Sequence, residues 1–224
     1  LSLARPESRT AYAERWREHV TAIERHWRET VGTGDLVLIP GDVSMARNHR
    51  DLQPDLTWLE RLPGTKVLSA GNHDRWFNRV EAIRPMLRRS QRAVGGDAVA
   101  IAGAIVCGAR GFEFTPDAPA TMTQAAAELA ALDRALAEAA SLRTHEQPLY
   151  VLWHYPPFDA FGRPGPCVDR FGRAGVTACL YGHLHAESQW ALAVQGEVNG
   201  VRYHCVAADA IGFRPLRIGT HAAG

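Results

Sequence analysis

The sequence predicts an α/β fold, and three observations carry that reading. Short apolar runs open into polar turns around residues 36–42, 67–74, 149–154 and 178–185. Segments with helical apolar spacing stand between several of them. The length of 224 residues, with 46% hydrophobic and 22% charged residues, suits one domain spanning 1–224 that buries a sizeable core.

In chain order, residues 8–31 read as a helix, because Tyr12, Trp16, Val20, Ile23, Trp27 and Val31 share one face and Gly32 can end it. Leu36, Val37, Leu38 and Ile39 form a short buried strand before Pro40-Gly41-Asp42. A helix is expected around 55–62, and a strand over 67–70 leads into Gly71-Asn72-His73-Asp74. Another helix is expected over 79–89, followed by a hairpin of 98–101 and 104–107 that turns at Ala102-Gly103. The Ala-rich and Leu-rich stretch 121–142 is helical and leads into a strand at 149–153 that ends at His154. The Pro-rich segment 155–167 is a shaped loop, a candidate substrate rim. A strand at 178–181 precedes Gly182-His183-Leu184-His185, and a closing hairpin is expected to pair 190–194 with 201–206 through Asn199-Gly200.

Composition excludes several classes. With 25 Lys and Arg against 24 Asp and Glu, the net charge of +1 gives no basic footprint, so nucleic acid is not favoured as a partner. No apolar run approaches the roughly 18 residues of a membrane helix, and no membrane partner is expected. Cys107, Cys167, Cys179 and Cys205 have no C-x-x-C spacing, which fits reduced thiols and a cytoplasmic location. A G-x-x-x-x-G-K-[ST] loop is absent, which argues against a nucleotide-driven motor or kinase.

Open sheets with crossover helices gather ligands at the carboxyl ends of their strands. Here those ends carry Asp42, Asn72, His73, Asp74, His154, His183 and His185. One amide, carboxylates and several imidazoles form a mixed oxygen and nitrogen set suited to Mn, Fe or Zn. On extended backbone, His183 and His185 can point the same way.

Through Gly41-Asp42, Gly71-Asn72-His73-Asp74, the isolated His154 and Gly182-His183-Leu184-His185, in that order, the chain resembles the calcineurin-like metallophosphoesterases. The closing part, from Gly200-Val201-Arg202-Tyr203 to Gly212-Phe213-Arg214-Pro215, looks like that of the smaller bacterial predicted phosphohydrolases of the superfamily. The resemblance implies a two-sheet sandwich flanked by helices (αββα) and two divalent metal ions. Asp42 would bridge the ions, Asn72, His154 and His183 would complete one site, and His185 would belong to the other. His73 would face the substrate as general acid, with Asp74 orienting it. The family begins with a strand ending in Asp-x-His, which supplies two further ligands, and nothing N-terminal to Asp42 matches it. Leu1-Ser2-Leu3-Ala4 looks like the sequence that follows such a motif, so the first strand is expected upstream of residue 1 and the second metal site is expected to be incomplete.

The expected activity is hydrolysis of phosphomonoesters or phosphodiesters by metal hydroxide, with two ions roughly 3.5 to 4 Å apart clamping the phosphoryl oxygens. The alternative is a phosphoesterase-shaped scaffold that binds partners and has one degraded metal site. His19 and His26 read as helix-edge residues, and His49, His145 and His204 lack a ligand partner at convincing spacing. Arg75, Trp76 and Phe77 are expected either to contact substrate or to anchor the Asn-His-Asp turn, and the 158–163 loop is equally open.

Overall fold

The computed structural model describes residues 1, 3, 16–115, 122–144 and 146–219. Two sheets form its centre. The first has three parallel strands in the order β1 (Leu36–Ile39), β2 (Thr65–Leu68) and β3 (Gln91–Ala93). The second has six, in the order β4 (Asp97–Ile101), β5 (Ala104–Ala109), β6 (Leu149–Trp153), β7 (Ala178–Tyr181), β9 (Val201–Cys205) and β8 (Gly196–Val198). Strands β5, β6, β7 and β9 are mutually parallel, whereas β4 and β8 run antiparallel at the two edges.

Side-chain alternation sorts these strands into layers. On the facing sides of the sheets, Val67, Ala104, Val106, Tyr150, Leu152, Ala178 and Leu180 pack into one buried cluster joined by Leu36 and Leu38. The other side of the three-stranded sheet, with Leu68 and Ala93, packs on Trp27 of α1 (His19–Thr30), Leu52, Leu56 and Leu59 of α2 (His49–Glu60), and Val80 and Ile83 of α3 (Val80–Ile83). Beyond the six-stranded sheet, Ile105, Cys107, Val151 and Cys179 meet Leu132, Ala135, Leu136 and Ala139 of α4 (Met122–Leu142) and Val168 and Phe171 of α5 (Val168–Arg173). The layers are therefore helix, sheet, sheet, helix, the sandwich that the resemblance implied.

Several boundaries differ from expectation for local reasons. The described part of the first predicted helix is α1; residues 8–15 lie outside the described residues. Helix α2 starts earlier than expected because Asn48 caps it, its side chain accepting from the Asp51 amide at 2.9 Å. Its Pro54, the sixth helical residue, has no N–H to donate to the Arg50 carbonyl and so removes one bond from the helix ladder. The predicted helix over 79–89 is only α3 plus a 3-10 turn (Arg84–Met86), after which the chain turns into strand β3. In the closing hairpin, 190–194 is not the partner strand. Residues 187–190 form the short helix α6 (Glu187–Trp190), and β8 pairs with β9 through Asn199 and Gly200, both at positive φ.

All four cysteines are buried and unpaired in disulfides. Burial pushes the Cys107 and Cys167 thiols up to about 12, so they behave as small apolar groups. No helix among the described residues is long and apolar enough to cross a membrane.

Candidate metal centre

Strands β1, β2, β6 and β7 all deliver their carboxyl ends to one region, and close backbone approach brings the turns together. Gly41 has φ +92°, and a Cβ there would stand 2.6 Å from the Gly71 nitrogen and 2.7 Å from His154 Nδ1. Asp42 and His183 adopt φ of 52° and 69°, a left-handed conformation that costs energy for residues other than Gly. Strain of this kind concentrates where side chains must be aimed.

The aimed atoms converge on Asn72. His154 Nε2 lies 2.8 Å and His183 Nδ1 3.0 Å from Asn72 Oδ1, and Asp42 Oδ2 lies 3.5 Å from His154 Nε2. His154 Nδ1 stands 2.8 Å from the Pro40 carbonyl oxygen, which can only accept, so the ring proton is on Nδ1. Burial pulls the His154 pKa below its ordinary value, with Asp42 opposing, and therefore favours the neutral ring. A neutral ring with its proton on Nδ1 presents a bare lone pair at Nε2 to the Asn72 oxygen. Two acceptors thus face one another, beside an Asp42 Oδ2 that is buried without a hydrogen bond. Burial also brings His183 down to about 4, helped by His154.

These separations are those of neighbouring ligand atoms around one ion with bonds of about 2.0–2.2 Å. The donor set of Asp42, Asn72, His154 and His183 fits a borderline divalent metal in chemistry and proton state. Among the described residues, no group of three or more His, Cys, Asp or Glu side chains closes around a metal position. The amide oxygen of Asn72 is the atom on which the imidazoles converge. For the other expected site, His185 stands apart, its Nδ1 being 3.9 Å from Asp209 Oδ1 and its ring 5.8 Å from that of Trp16. Trp16 Nε1 donates to Asp209 Oδ2 at 3.2 Å. Asp209 lies beyond the last sequence motif, and neither it nor Trp16 was expected near the site.

His73 reaches the cluster through its backbone, its N–H donating to Asp42 Oδ1 at 2.9 Å, while its half-buried ring has no hydrogen bond among the described residues. Asp74 does not orient that ring. Its carboxylate is buried and accepts from the backbone N–H groups of Val43 at 3.2 Å, Ser44 at 2.9 Å and Gly71 at 2.9 Å, and from Trp76 Nε1 at 3.1 Å. Burial and the Asp42 carboxylate raise it to about 6, while the backbone donors pull the other way. Asp74 therefore ties the turn after β1 to the turn after β2. The expected bond to His73 is not formed because four closer donors occupy its oxygens.

Trp76 and Phe77 are buried and anchor the turn, whereas Arg75 is exposed. In the Pro-rich loop, Phe158 is buried against Tyr203 at 4.9 Å between centroids and Phe161 is exposed with Arg163 over its ring. His49 is exposed, His26 Nδ1 is 3.2 Å from the Phe213 carbonyl and His19 is buried in α1; His145 lies outside the described residues. Sequence reasoning also missed Arg110, whose carbonyl accepts from the His154 N–H at 3.1 Å, and Tyr155, whose ring lies 4.4 Å from that of His183.

A family model described as calcineurin-like phosphoesterase matches residues 11–187. The chain belongs to that family. It is 41% identical over 58 residues to the Gene 66 protein of Mycobacterium phage D29, a stretch that is 26% of this chain and 29% of that protein. Among solved structures it is similar to a protein of unknown function, AQ665, from Aquifex aeolicus, at 12% identity and a TM-score of 0.45, covering 88% of this chain and 80% of that one. Membership of a phosphoesterase family fits divalent metals and a phosphate ester substrate.

Proposed function

We propose that this phosphoesterase hydrolyses phosphomonoesters or phosphodiesters using divalent Mn, Fe or Zn at the carboxyl ends of β1, β2, β6 and β7. The observation that carries the reading is the bare Nε2 lone pair of His154 aimed at Asn72 Oδ1 beside the unbonded Asp42 Oδ2. In this reading Asp42, Asn72, His154 and His183 hold one ion, and Asp42 and His185 contribute to a second. Bound ions of this kind polarise phosphoryl oxygens and lower the pKa of an attacking water. The chain's own residues then hold and move protons. Pro40 fixes the His154 tautomer, so that ring keeps its lone pair directed inward, and Tyr155 packs on the His183 ring and holds its position. The His73 N–H fixes Asp42, and its ring is the group left to protonate the leaving oxygen. Four buried thiols without disulfides agree with a reducing, cytoplasmic setting.

The test is reconstitution with Mn, Fe or Zn after chelation, followed by elemental analysis and a screen of monoesters and diesters. About one bound ion per chain and metal-dependent turnover are expected. Less than about 0.2 ions per chain, against the three or four protein ligands that a site normally uses, would overturn the reading.

A further inference from the structure

Arg110 follows β5 directly, and its carbonyl accepts from the His154 N–H at 3.1 Å, so the two residues are neighbours at the ends of adjacent parallel strands. The residues before them, Ala109 and Trp153, are paired in register and belong to the buried cluster on the α4 and α5 side of the sheet. By alternation Arg110 and His154 leave on the opposite face, the one that Leu152 turns toward the three-stranded sheet. The guanidinium ends where that geometry sends it. Its Nη2 lies 3.5 Å from the carbonyl oxygen of Phe77, in the turn that follows Asn72-His73-Asp74. The Arg110 side chain therefore borders the candidate metal centre, between the end of β6 and the His73 turn.

The backbone behind it is pinned. Gly111 has φ +79°, and a Cβ there would stand 2.6 Å from the Trp153 ring. The Gly111 N–H donates to Glu128 Oε2 of α4 at 3.1 Å. Held in this way, Arg110 cannot swing out of the region without breaking a half-buried bond.

Its side chain is nevertheless poorly satisfied. The bond to Phe77 is long, Nε is buried without a hydrogen bond, and no ion pair forms with a carboxylate among the described residues. Arg28, Arg170 and Arg214 do pair, with Glu24 at 2.9 Å, Asp133 at 2.8 Å and Glu29 at 2.7 Å, although water could solvate them where they stand. Arg110 is half-buried and has given up much of that solvation. A guanidinium does not relieve the cost by losing its proton. A desolvated cation with unused donors in a fork matches an incoming anion with several acceptor oxygens. Its charge also reaches the Tyr155 hydroxyl, on the ring that packs 4.4 Å from His183, and there it opposes the upward push of burial.

We propose that Arg110 anchors the terminal phosphoryl group of the substrate, and that phosphomonoesters rather than diesters are the substrate class of this site. The inference rests on the proposed activity and narrows it. A monoester carries a charge of about −1.5 to −2 at neutral pH on three non-bridging oxygens. A diester carries a single charge on two. Where bound ions polarise two phosphoryl oxygens, the third falls to Arg110, and in a diester that third oxygen is esterified and uncharged. The fork of Arg110 therefore adds more to the binding of a monoester than to that of a diester.

Inorganic phosphate and dimethyl phosphate are the probes, titrated by calorimetry into the Zn-loaded chain and into Arg110→Gln and Arg110→Lys. Phosphate affinity is expected to fall about ten- to a hundredfold in Arg110→Gln, the range for a lost hydrogen bond to a charged group. Arg110→Lys should fall between, since it keeps the charge and loses the fork. Dimethyl phosphate should bind the variants no more weakly than the parent. Metal content should not change, because Arg110 meets His154 only through its carbonyl, which both substitutions keep. Equal phosphate affinity in the parent and Arg110→Gln, or an equal loss for both probes, would overturn the proposal. The Arg110 Nε–H resonance of the parent is the second measurement and needs no folded variant. Phosphate must shift it, and an unmoved resonance at millimolar phosphate would make the proposal wrong. Turnover is scored separately: a parent that takes up no metal or hydrolyses no ester defeats the proposed activity, while the same titrations, on the metal-free chain if need be, still decide what Arg110 binds.

Discussion

A Cβ on Gly71 would stand 2.1 Å from Asp42 Oδ1 and 2.3 Å from the Asp42 amide nitrogen. The carboxylate that faces the candidate metal centre therefore occupies the space that any other residue at 71 would need. Gly71 also donates its N–H to Asp74, so neither turn can retreat without breaking a buried bond.

Gly71→Ala is expected to displace Asp42, abolish metal binding and cost about 1–3 kcal/mol from overpacking. Gly182→Ala is the control, since a Cβ there would meet nothing closer than 3.9 Å. It should keep its metal and stay within about 0.5 kcal/mol of the parent. Urea melts and elemental analysis on the two variants check this pair, and similar behaviour of both would contradict the packing argument.

Asp74→Ala is expected to destabilise the fold by roughly 2–5 kcal/mol, because it orphans the three buried backbone N–H groups of Val43, Ser44 and Gly71 at once, while Trp76 Nε1 keeps the Ser44 carbonyl. A residue that merely oriented His73 would leave the melting temperature near its parent value and change only turnover. Thermal melts of the metal-free variant separate the two outcomes without any substrate.

How much of this was legible in the sequence follows from how local each signal is. Asp42, Asn72, His154 and His183 could be read because each follows the end of an apolar strand, and parallel topology gathers such ends. The partners of Asp74 could not be read, since choosing between the His73 ring and the Val43, Ser44 and Gly71 amides requires the distance between two turns. Strand β3 was missed because three residues, Gln91, Arg92 and Ala93, carry no period, and only pairing with Lys66, Val67 and Leu68 makes them a strand. Asp209 escaped for a related reason. Its tie to Trp16 spans 193 positions, and nothing in its immediate neighbourhood marks it.

Protonation of the cluster gives a pH dependence in which His183 and Asp74 act with opposite signs. The folded-state pKa of His183, about 4, lies below the ordinary 6.5, so between these values the unfolded chain binds more protons at this residue than the folded one. The His183 contribution to the stability of the metal-free protein therefore rises with pH from about 4 to 6.5, with His154 shifted the same way. Asp74, raised to about 6, contributes a fall between about 3.8 and 6, so the His183 share is read as the difference between parent and variant. Denaturant midpoints across this range, compared with those of His183→Ala, measure the effect. An unchanged slope in the variant would remove His183 as its source.

The roles within Asn72-His73-Asp74 can be separated by leaving-group chemistry. A general acid matters in proportion to the basicity of the departing oxygen, and its removal costs about a hundred- to ten-thousandfold where protonation is needed. An aryl oxide leaves without a proton, whereas an alkoxide does not. His73→Gln is therefore expected to slow alkyl phosphate esters far more than activated aryl esters. Metal content should stay unchanged, because only the backbone N–H of His73 touches Asp42 and the substitution keeps it. His154→Ala and His183→Ala should behave differently, since each removes an imidazole aimed at Asn72 Oδ1 and so lowers metal occupancy, slowing both ester classes alike. The measurement is the ratio of alkyl to aryl turnover across the three variants at saturating metal. A uniform fall with lost metal at His73 would make it a ligand, and the assignment of the leaving-group proton to its ring would have to be given up.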